Sequence, residues 1–331
     1  MKRFLSILFV LSVRANRLVL VIGALVILGL AGCMPSSGPN YSLPPDVDPH
    51  LGGTSIQAHF AIDDSHVYVT DTMWLSSTSR VQVRDLADGS FDHWWTMEEG
   101  VGACGGIAIA PDHSIYVAVR LSGSITELHR FSADGKLLSR FQLPGSSVSS
   151  PQAVACNSRG EIYVYIERFG LYRYSSTGQE INSWTLPDLN NSTHEIPGIA
   201  VDHQDNVYVA DIFNKCVYVY DAGDHQKAIL HPITPEDSPA DLVRGVCITT
   251  NDVVCILISP GWGEEGFPDN PRIEKYSTDG EFLGEWSLLQ RYASPSTDNI
   301  TAHGEYVYTW NDANADVFKW DQSGTLIWES E

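Results

Sequence analysis

The stretch Gly198–Asp211, GIAVDHQDNVYVAD, places Asp202, His203, Asp205 and Asp211 close together, with His194 and Glu195 just upstream. Carboxylates and imidazoles at that density could hold a divalent metal ion. The same residue types also serve two strands joined by a turn, where short polar side chains satisfy the backbone locally. The surrounding pattern decides between the two.

Other chemistry leaves little trace. The chain contains no G-x-S-x-G, no H-E-x-x-H and no phosphate loop. Its 11 histidines are scattered, several of them in turns. Beyond Cys33 stand Cys104, Cys156, Cys216, Cys247 and Cys255, with no CxxC and no zinc-type Cys/His spacing.

The polar stretch has relatives along the chain. AHFAIDDSHVYVTD begins at Ala58, GIAIAPDHSIYVAV at Gly106 and AVACNSRGEIYVYI at Ala153. GVCITTNDVVCIL begins at Gly245 and NITAHGEYVYTW at Asn299. Each is an apolar run, a polar turn, then an alternating run. Taking Tyr68, Tyr116, Tyr163, Tyr208, Val254 and Val307 as matching positions gives a period in the forties, which is a propeller signature. Two further strands follow in each unit, and five units place Gly after Asp, Thr or Ser in the turn between them, as tight hairpins require. Asp202, His203 and Asp205 align with Asp63, Asp112, His113, Asn157, Arg159, Thr250 and His303, and no ring of ligands emerges. The turn reading is therefore the expectation. The fold expected is all-β: a six-bladed β-propeller of four-stranded antiparallel blades over residues 57–331.

Residues Ile196–His225, IPGIAVDHQDNVYVADIFNKCVYVYDAGDH, follow a pattern of Pro-Gly, apolar strand, Asp, polar turn, Tyr-Val-Ala-Asp, Asn, strand, Tyr-Asp and Gly. This resembles the NHL-repeat family of six-bladed, TolB-like propellers. The resemblance implies the fold and says little about function, because propellers host many unrelated activities.

In this fold the first strand of each blade lines a central channel. The loops entering those strands meet the loops between second and third strands on one face, here called the mouth face. The residues entering the first strands are Gln57, Cys104 or Gly105, Gln152, Glu195 with His194, Arg244, and Asp298 with Asn299. The gluconolactonase and senescence-marker-protein family, which shares the architecture, holds one divalent ion with Glu, Asn and Asp at such positions. Glu195, Asp298 and Asn299 have those types, which leaves a metal-dependent lactonase or hydrolase, with one cation such as Ca or Zn, as the alternative function. Against it, Arg244 would oppose a cation. The amidating lyase that acts on peptidyl-hydroxyglycine resembles the same repeats but needs histidines from several blades, and His194 has only His59 as a similarly placed companion. Arg244 and Asp298 also suit an ion pair between adjacent blades.

The loops between second and third strands gather Trp74, Phe169, Phe213, Trp262, Phe267 and Trp310 with Glu264, Glu265, Asp269 and Asp312. Aromatics among polar groups suit recognition. The long blade-five loop, SPGWGEEGFPDNP (259–271), is the chief candidate, since loops of that length in compact domains are usually functional or disordered. The leading expectation is a cofactor-free binding module, monomeric, that recognises a protein, peptide or carbohydrate through Trp74, Arg244, Trp262, Phe267 and Trp310.

The first 32 residues read as a lipoprotein signal. Lys2, Arg3, Arg14 and Arg17 precede the uncharged apolar run Leu18–Ala31, which ends in Leu30-Ala31-Gly32-Cys33. This resembles a bacterial lipobox, so Cys33 is expected to carry lipid and to place the chain in the cell envelope, outside the cytoplasm. An uncleaved signal anchor is the other reading, and has the same sidedness. Residues 33–56 then form a Pro-, Ser- and Gly-rich tether with a reach of roughly 25 Å. Cleavage would leave 16 basic against 41 acidic residues, a formal charge of −25. Such a surface repels phosphate backbones and anionic headgroups, so nucleic acid is not an expected partner, and membrane contact should run through the lipid.

Two structural expectations complete the reading. Blade six has its own four strands by Ser330, so the ring should close by packing, through residues such as Val317, Phe318 and Ile327. Cys247 and Cys255 should oppose each other across one hairpin, as a disulfide or as two buried thiols.

Overall fold

The computed structural model describes residues 59–73, 78–97, 101–121, 125–144, 151–187, 196, 198–233, 241–260, 271–288, 297–311 and 316–329. The chain divides into two units, Met1–Leu51 and Gly52–Glu331, and every described residue belongs to the second.

That unit is a six-bladed β-propeller. Blade one holds β1 (Phe60–Ile62), β2 (His66–Met73), β3 (Thr78–Asp85) and β4 (Phe91–Thr96); blade two holds β5 (Val101–Ile109), β6 (Ile115–Leu121), β7 (Thr126–Phe131) and β8 (Leu137–Leu143). Blade three is β9 (Pro151–Cys156), β10 (Ile162–Ile166), β11 (Gly170–Tyr174) and β12 (Glu180–Trp184); blade four is β13 (Ile199–Val201), β14 (Val207–Asp211), β15 (Cys216–Tyr220) and β16 (Gln226–Leu230). Blade five is β17 (Asp241–Ile248), β18 (Val254–Pro260), β19 (Arg272–Tyr276) and β20 (Phe282–Ser287); blade six is β21 (Thr297–His303), β22 (Tyr306–Asn311), β23 (Asp316–Trp320) and β24 (Leu326–Glu329). In each blade the four strands pair in chain order.

The second strands explain why a blade packs on both faces. VYVAD in β14 and IYVYI in β10 are buried along their whole length, because a middle strand has a neighbouring blade on each side. The fourth strands β4 and β24 alternate instead, as half-solvated edges do. Apolar clusters fill the six clefts between neighbouring blades, so the core is divided among the clefts. First strands touch in the order β1, β5, β9, β13, β17, β21 and back to β1.

The hairpin glycines behave as expected. Gly89, Gly135, Gly178, Gly280 and Gly324 have φ of 74°, 81°, 82°, 86° and 84°, and blade four uses Asp224 at 65°. Some of these glycines also admit the neighbouring blade: a Cβ on Gly135 would lie 2.6 Å from Trp95, and one on Gly324 2.5 Å from Trp286.

One repeated feature had no marker in the sequence. Each fourth strand carries a bulge at the same place, at Asp92, Leu138, Ile181, Lys227, Leu283 and Ile327. A bulge twists the outer edge and blunts it against pairing with another chain.

The repeat alignment needs a correction in two blades. Register pairs Tyr68 with Ala61 and Tyr208 with Ala200, and the equivalent pairs are Cys255 with Cys247 and Tyr308 with Thr301. The equivalents of Tyr68 are therefore Cys255 and Tyr308, one residue beyond Val254 and Val307. In blade five no tyrosine marks the place, and the Val253-Val254 pair conceals the step.

Among the described residues closure follows the packing expectation. Blades one and six each hold four consecutive strands of their own, and Phe60, Ile62, Val67 and Val69 pack against Tyr308, Trp310 and Val317 at the seam. Phe318 instead faces blade five, and Ile327 is exposed because it is the bulged residue of β24.

Candidate functional site at the channel mouth

The polar stretch that opened the sequence reading is a turn. Asp202 Oδ1 accepts the backbone N–H groups of Gln204 (2.9 Å) and Asn206 (2.8 Å), and Oδ2 accepts from Asn206 Nδ2 (2.7 Å) and the Tyr208 hydroxyl (3.2 Å). Asp63 does the same for Ser65, His66 and Tyr68, and Asn157 for Arg159 and Glu161. Asp211 accepts from the N–H groups of Phe213 and Asn214, which caps the loop after β14. Neighbouring turns are tied across the clefts by Arg159–Asp205, His203–Asp252 and His303–Asp64. Hydrogen bonding and charge from Asp252 raise the His203 pKa above its ordinary value. Among the described residues no group of three or more His, Cys, Asp or Glu could hold a metal ion.

At the other end of the channel, the residues chosen from the sequence fall on irregularities in the first strands. Register breaks leave Gln152 in β9, Arg244 in β17 and Asp298 in β21 as bulged residues, and Gly105 lies in the irregular part of β5. Bulges are frequent beside functional sites because they re-aim a side chain. Arg244 is 8% exposed. Trp310, expected on the rim, is only 3% exposed and packs 6.4 Å from Phe60 between ring centroids, so it belongs to the seam core. Phe169 and Phe213 are 36% and 54% exposed in the short turns after β10 and β14. Trp74, Glu195, Trp262 and Phe267 lie outside the described residues, as does the side chain of Asp298. So do Cys33 and all of residues 1–58.

Below the mouth, a cavity of about 220 Å³ is walled by all six first strands, from His59–Ile62 around to Asn299–Ala302. Each of these strands is a sheet edge, so backbone N–H and C=O groups face the channel. Glycines let the strands crowd together there: a Cβ on Gly106 would lie 2.6 Å from the Val154 nitrogen, and one on Gly245 2.8 Å from Ile300. The polar side chains on the wall include Asn299 and His59. Asn299 Nδ2 lies 3.1 Å from His59 Nδ1, and Asn299 Oδ1 accepts the Ile300 N–H at 2.8 Å. That amide oxygen, a would-be metal ligand, is thus engaged with the backbone. Desolvation lowers the His59 pKa to about 4, so its ring is neutral at pH 7. The sequence offered His59 only as a companion of His194 in the lyase pattern, not as a site residue. Its partner lies 240 positions away, and only ring closure brings the two together.

Blade five has a second polar centre at its mouth end. Arg272, 2% exposed, donates to Asp241 Oδ2 (2.5 Å), Glu274 Oε1 (3.0 Å from Nε) and the Ile233 carbonyl (2.8 Å). Glu274 Oε2 accepts from the Tyr276 hydroxyl (2.5 Å) and the Ile233 N–H (2.9 Å). Asp241 begins β17, Arg272 begins β19, and Ile233 lies on the connection from blade four. The network therefore clamps the start of β19, where the chain re-enters the sheet after the long blade-five loop.

No protein-family model and no curated protein matches the chain. Solved structures do. A catalytically inactive His-to-Ala virginiamycin B lyase from Staphylococcus aureus, in complex with quinupristin, is 14% identical, with a TM-score of 0.57 over 87% of this chain and 85% of that one. A streptogramin B lyase is 12% identical, with a TM-score of 0.55 over 82% and 94%. The Pan2 WD40 domain of Neurospora crassa is 11% identical, with a TM-score of 0.53 over 82% and 76%. At these identities the likeness is one of architecture, and it agrees with the blades described above: the chain is a β-propeller.

Proposed function

We propose that this protein is a lipid-anchored, extracytoplasmic propeller of the NHL type that captures a protein, peptide or carbohydrate on its mouth face. The observation that supports this most is the buried Arg272–Asp241–Glu274 network. Buried ions are costly and need a full set of partners, so a fold rarely gains net stability from them. Here they tie β19, the strand that follows the long loop after Pro260, to the start of β17, and recognition elements work best from rigid supports. Trp262 and Phe267 are the anchors within that loop, with Glu264 and Glu265 steering a cationic or hydroxyl-rich partner. Trp74 and Arg244 complete the face. Lipid on Cys33 holds the monomer at the membrane, and no cofactor is needed. Replacing Cys33 with Ser should release the protein from membranes or block its processing. Mature protein that retains residues before Cys33, seen by mass spectrometry, contradicts the anchor.

A further inference from the structure

At the mouth end of the cavity the six first strands present equivalent positions: His59, Gly106, Ala153, Gly198, Gly245 and Asn299. Four of these are Gly or Ala. The two polar ones belong to blades one and six, which adjoin at closure, and they touch. The ring of small residues is thus interrupted at one place, by a hydrogen-bonded pair that faces open space.

The pair has a defined polarity. Asn299 Oδ1 accepts the Ile300 N–H, so the amide turns its nitrogen toward His59. An amide nitrogen only donates, so His59 Nδ1 accepts, and a neutral imidazole must then carry its hydrogen on Nε2. Thr70 fixes the backbone of the same residue: its Oγ1 accepts the His59 N–H at 3.1 Å, its N–H donates to the His59 carbonyl at 2.8 Å, and its hydroxyl reaches the Gly105 carbonyl of blade two at 3.2 Å. Among the described residues Nε2 has no hydrogen-bond partner, while the ring lines the cavity.

We propose that His59, oriented by Asn299 and Thr70, is a ligand-binding residue of the central channel whose Nε2–H takes a neutral carbonyl oxygen, as in an acetamido or carboxamide group. The proposal rests on the binding reading above and names a selective subsite for it. Size favours one small group: about 220 Å³ falls below the ~300–1,000 Å³ of drug-sized sites. Charge favours neutrality. Among the described residues no Lys, Arg, Asp or Glu lines the cavity, an exposed N–H opposes a cation, and a chain of formal charge −21 discourages a carboxylate. An amide also suits the strand edges, since it brings both a donor and an acceptor. Burial keeps the imidazole neutral, so Nδ1 goes on accepting from Asn299 at physiological pH.

The test is nitrogen-15 NMR of the full chain in detergent micelles with labelled histidine. The His59 signals are assigned by their absence in H59F or, should that variant not fold, by their displacement in Asn299→Leu. The expected result is a His59 ring protonated at Nε2 and a saturable shift of that N–H with N-acetylglucosamine. Glucose and acetate at the same concentration should produce at least tenfold smaller shifts. A ring protonated at Nδ1, no saturable shift, or equal shifts with glucose or acetate overturns the proposal. A silent His59 in protein that still captures partners on its mouth face removes this subsite alone. A responding His59 in protein that captures none removes the mouth-face reading alone.

Discussion

Glu161 accepts hydrogen bonds from Arg159, Arg173 and Asn157, and Arg173 reaches on to Asp224 and the Ala222 carbonyl of blade four. Burial alone would raise its pKa, but the hydrogen bonds from Arg159, Arg173 and Asn157 outweigh burial and take it from 4.5 to about 2. A carboxylate depressed in this way stabilises the fold above its ordinary pKa and loses that contribution as pH falls. The window is therefore about pH 4.5 down to about 2. Melting temperatures over that window should fall more steeply for the wild type than for Glu161→Gln, which should start lower at pH 7; parallel curves would contradict the account. Cys247 and Cys255 are directly opposed, as their positions about the turn implied, and both are free thiols. Desolvation first, then the neighbouring Cys255, pushes the Cys247 pKa well up, so the reactive thiolate is scarce. Thiol counting on denatured, unreduced mature protein should return five. Opposition was legible because a hairpin of known turn centre fixes it. The His59–Asn299 pair was not, because nothing local to either residue refers to the other.

At the scale of elements, Arg272 shows what a buried charge does for β17 and β19. Arg272→Met removes the partner of Asp241 and Glu274 and leaves two carboxylates buried, which should cost about 3–5 kcal/mol in urea unfolding. A loss under 1 kcal/mol would mean the network is not the clamp described. Gly106→Ala drives a methyl group into the backbone of β9, and overpacking of that kind costs about 1–3 kcal/mol. The glycine-marked turns were legible because positive φ selects glycine. The fourth-strand bulges were not, since Asp92, Leu138, Ile181, Lys227, Leu283 and Ile327 share no chemistry. Their position follows from sheet twist, which side-chain alternation does not encode.

For the whole molecule, the six-fold repeat was readable because each unit buries the same pattern against its neighbours. Its closure was readable as strand bookkeeping. The inward turn of Trp310 was not, because an aromatic beside a long loop looks the same whether it serves the rim or the seam. Trp310→Ala should open a cavity between blades one and six and cost about 3–5 kcal/mol, seen as a lowered unfolding midpoint. The central claim, that the blade-five loop is the capturing element on a braced mouth face, has a direct test. Residues 261–270 are replaced by a short Gly-containing turn, leaving Arg272 and Asp241 in place. Melting temperature and retention of envelope proteins, peptides and glycans are then measured beside the wild type. The account predicts a melting temperature nearly unchanged and retention abolished. Retention of the same partners by the shortened protein would contradict it.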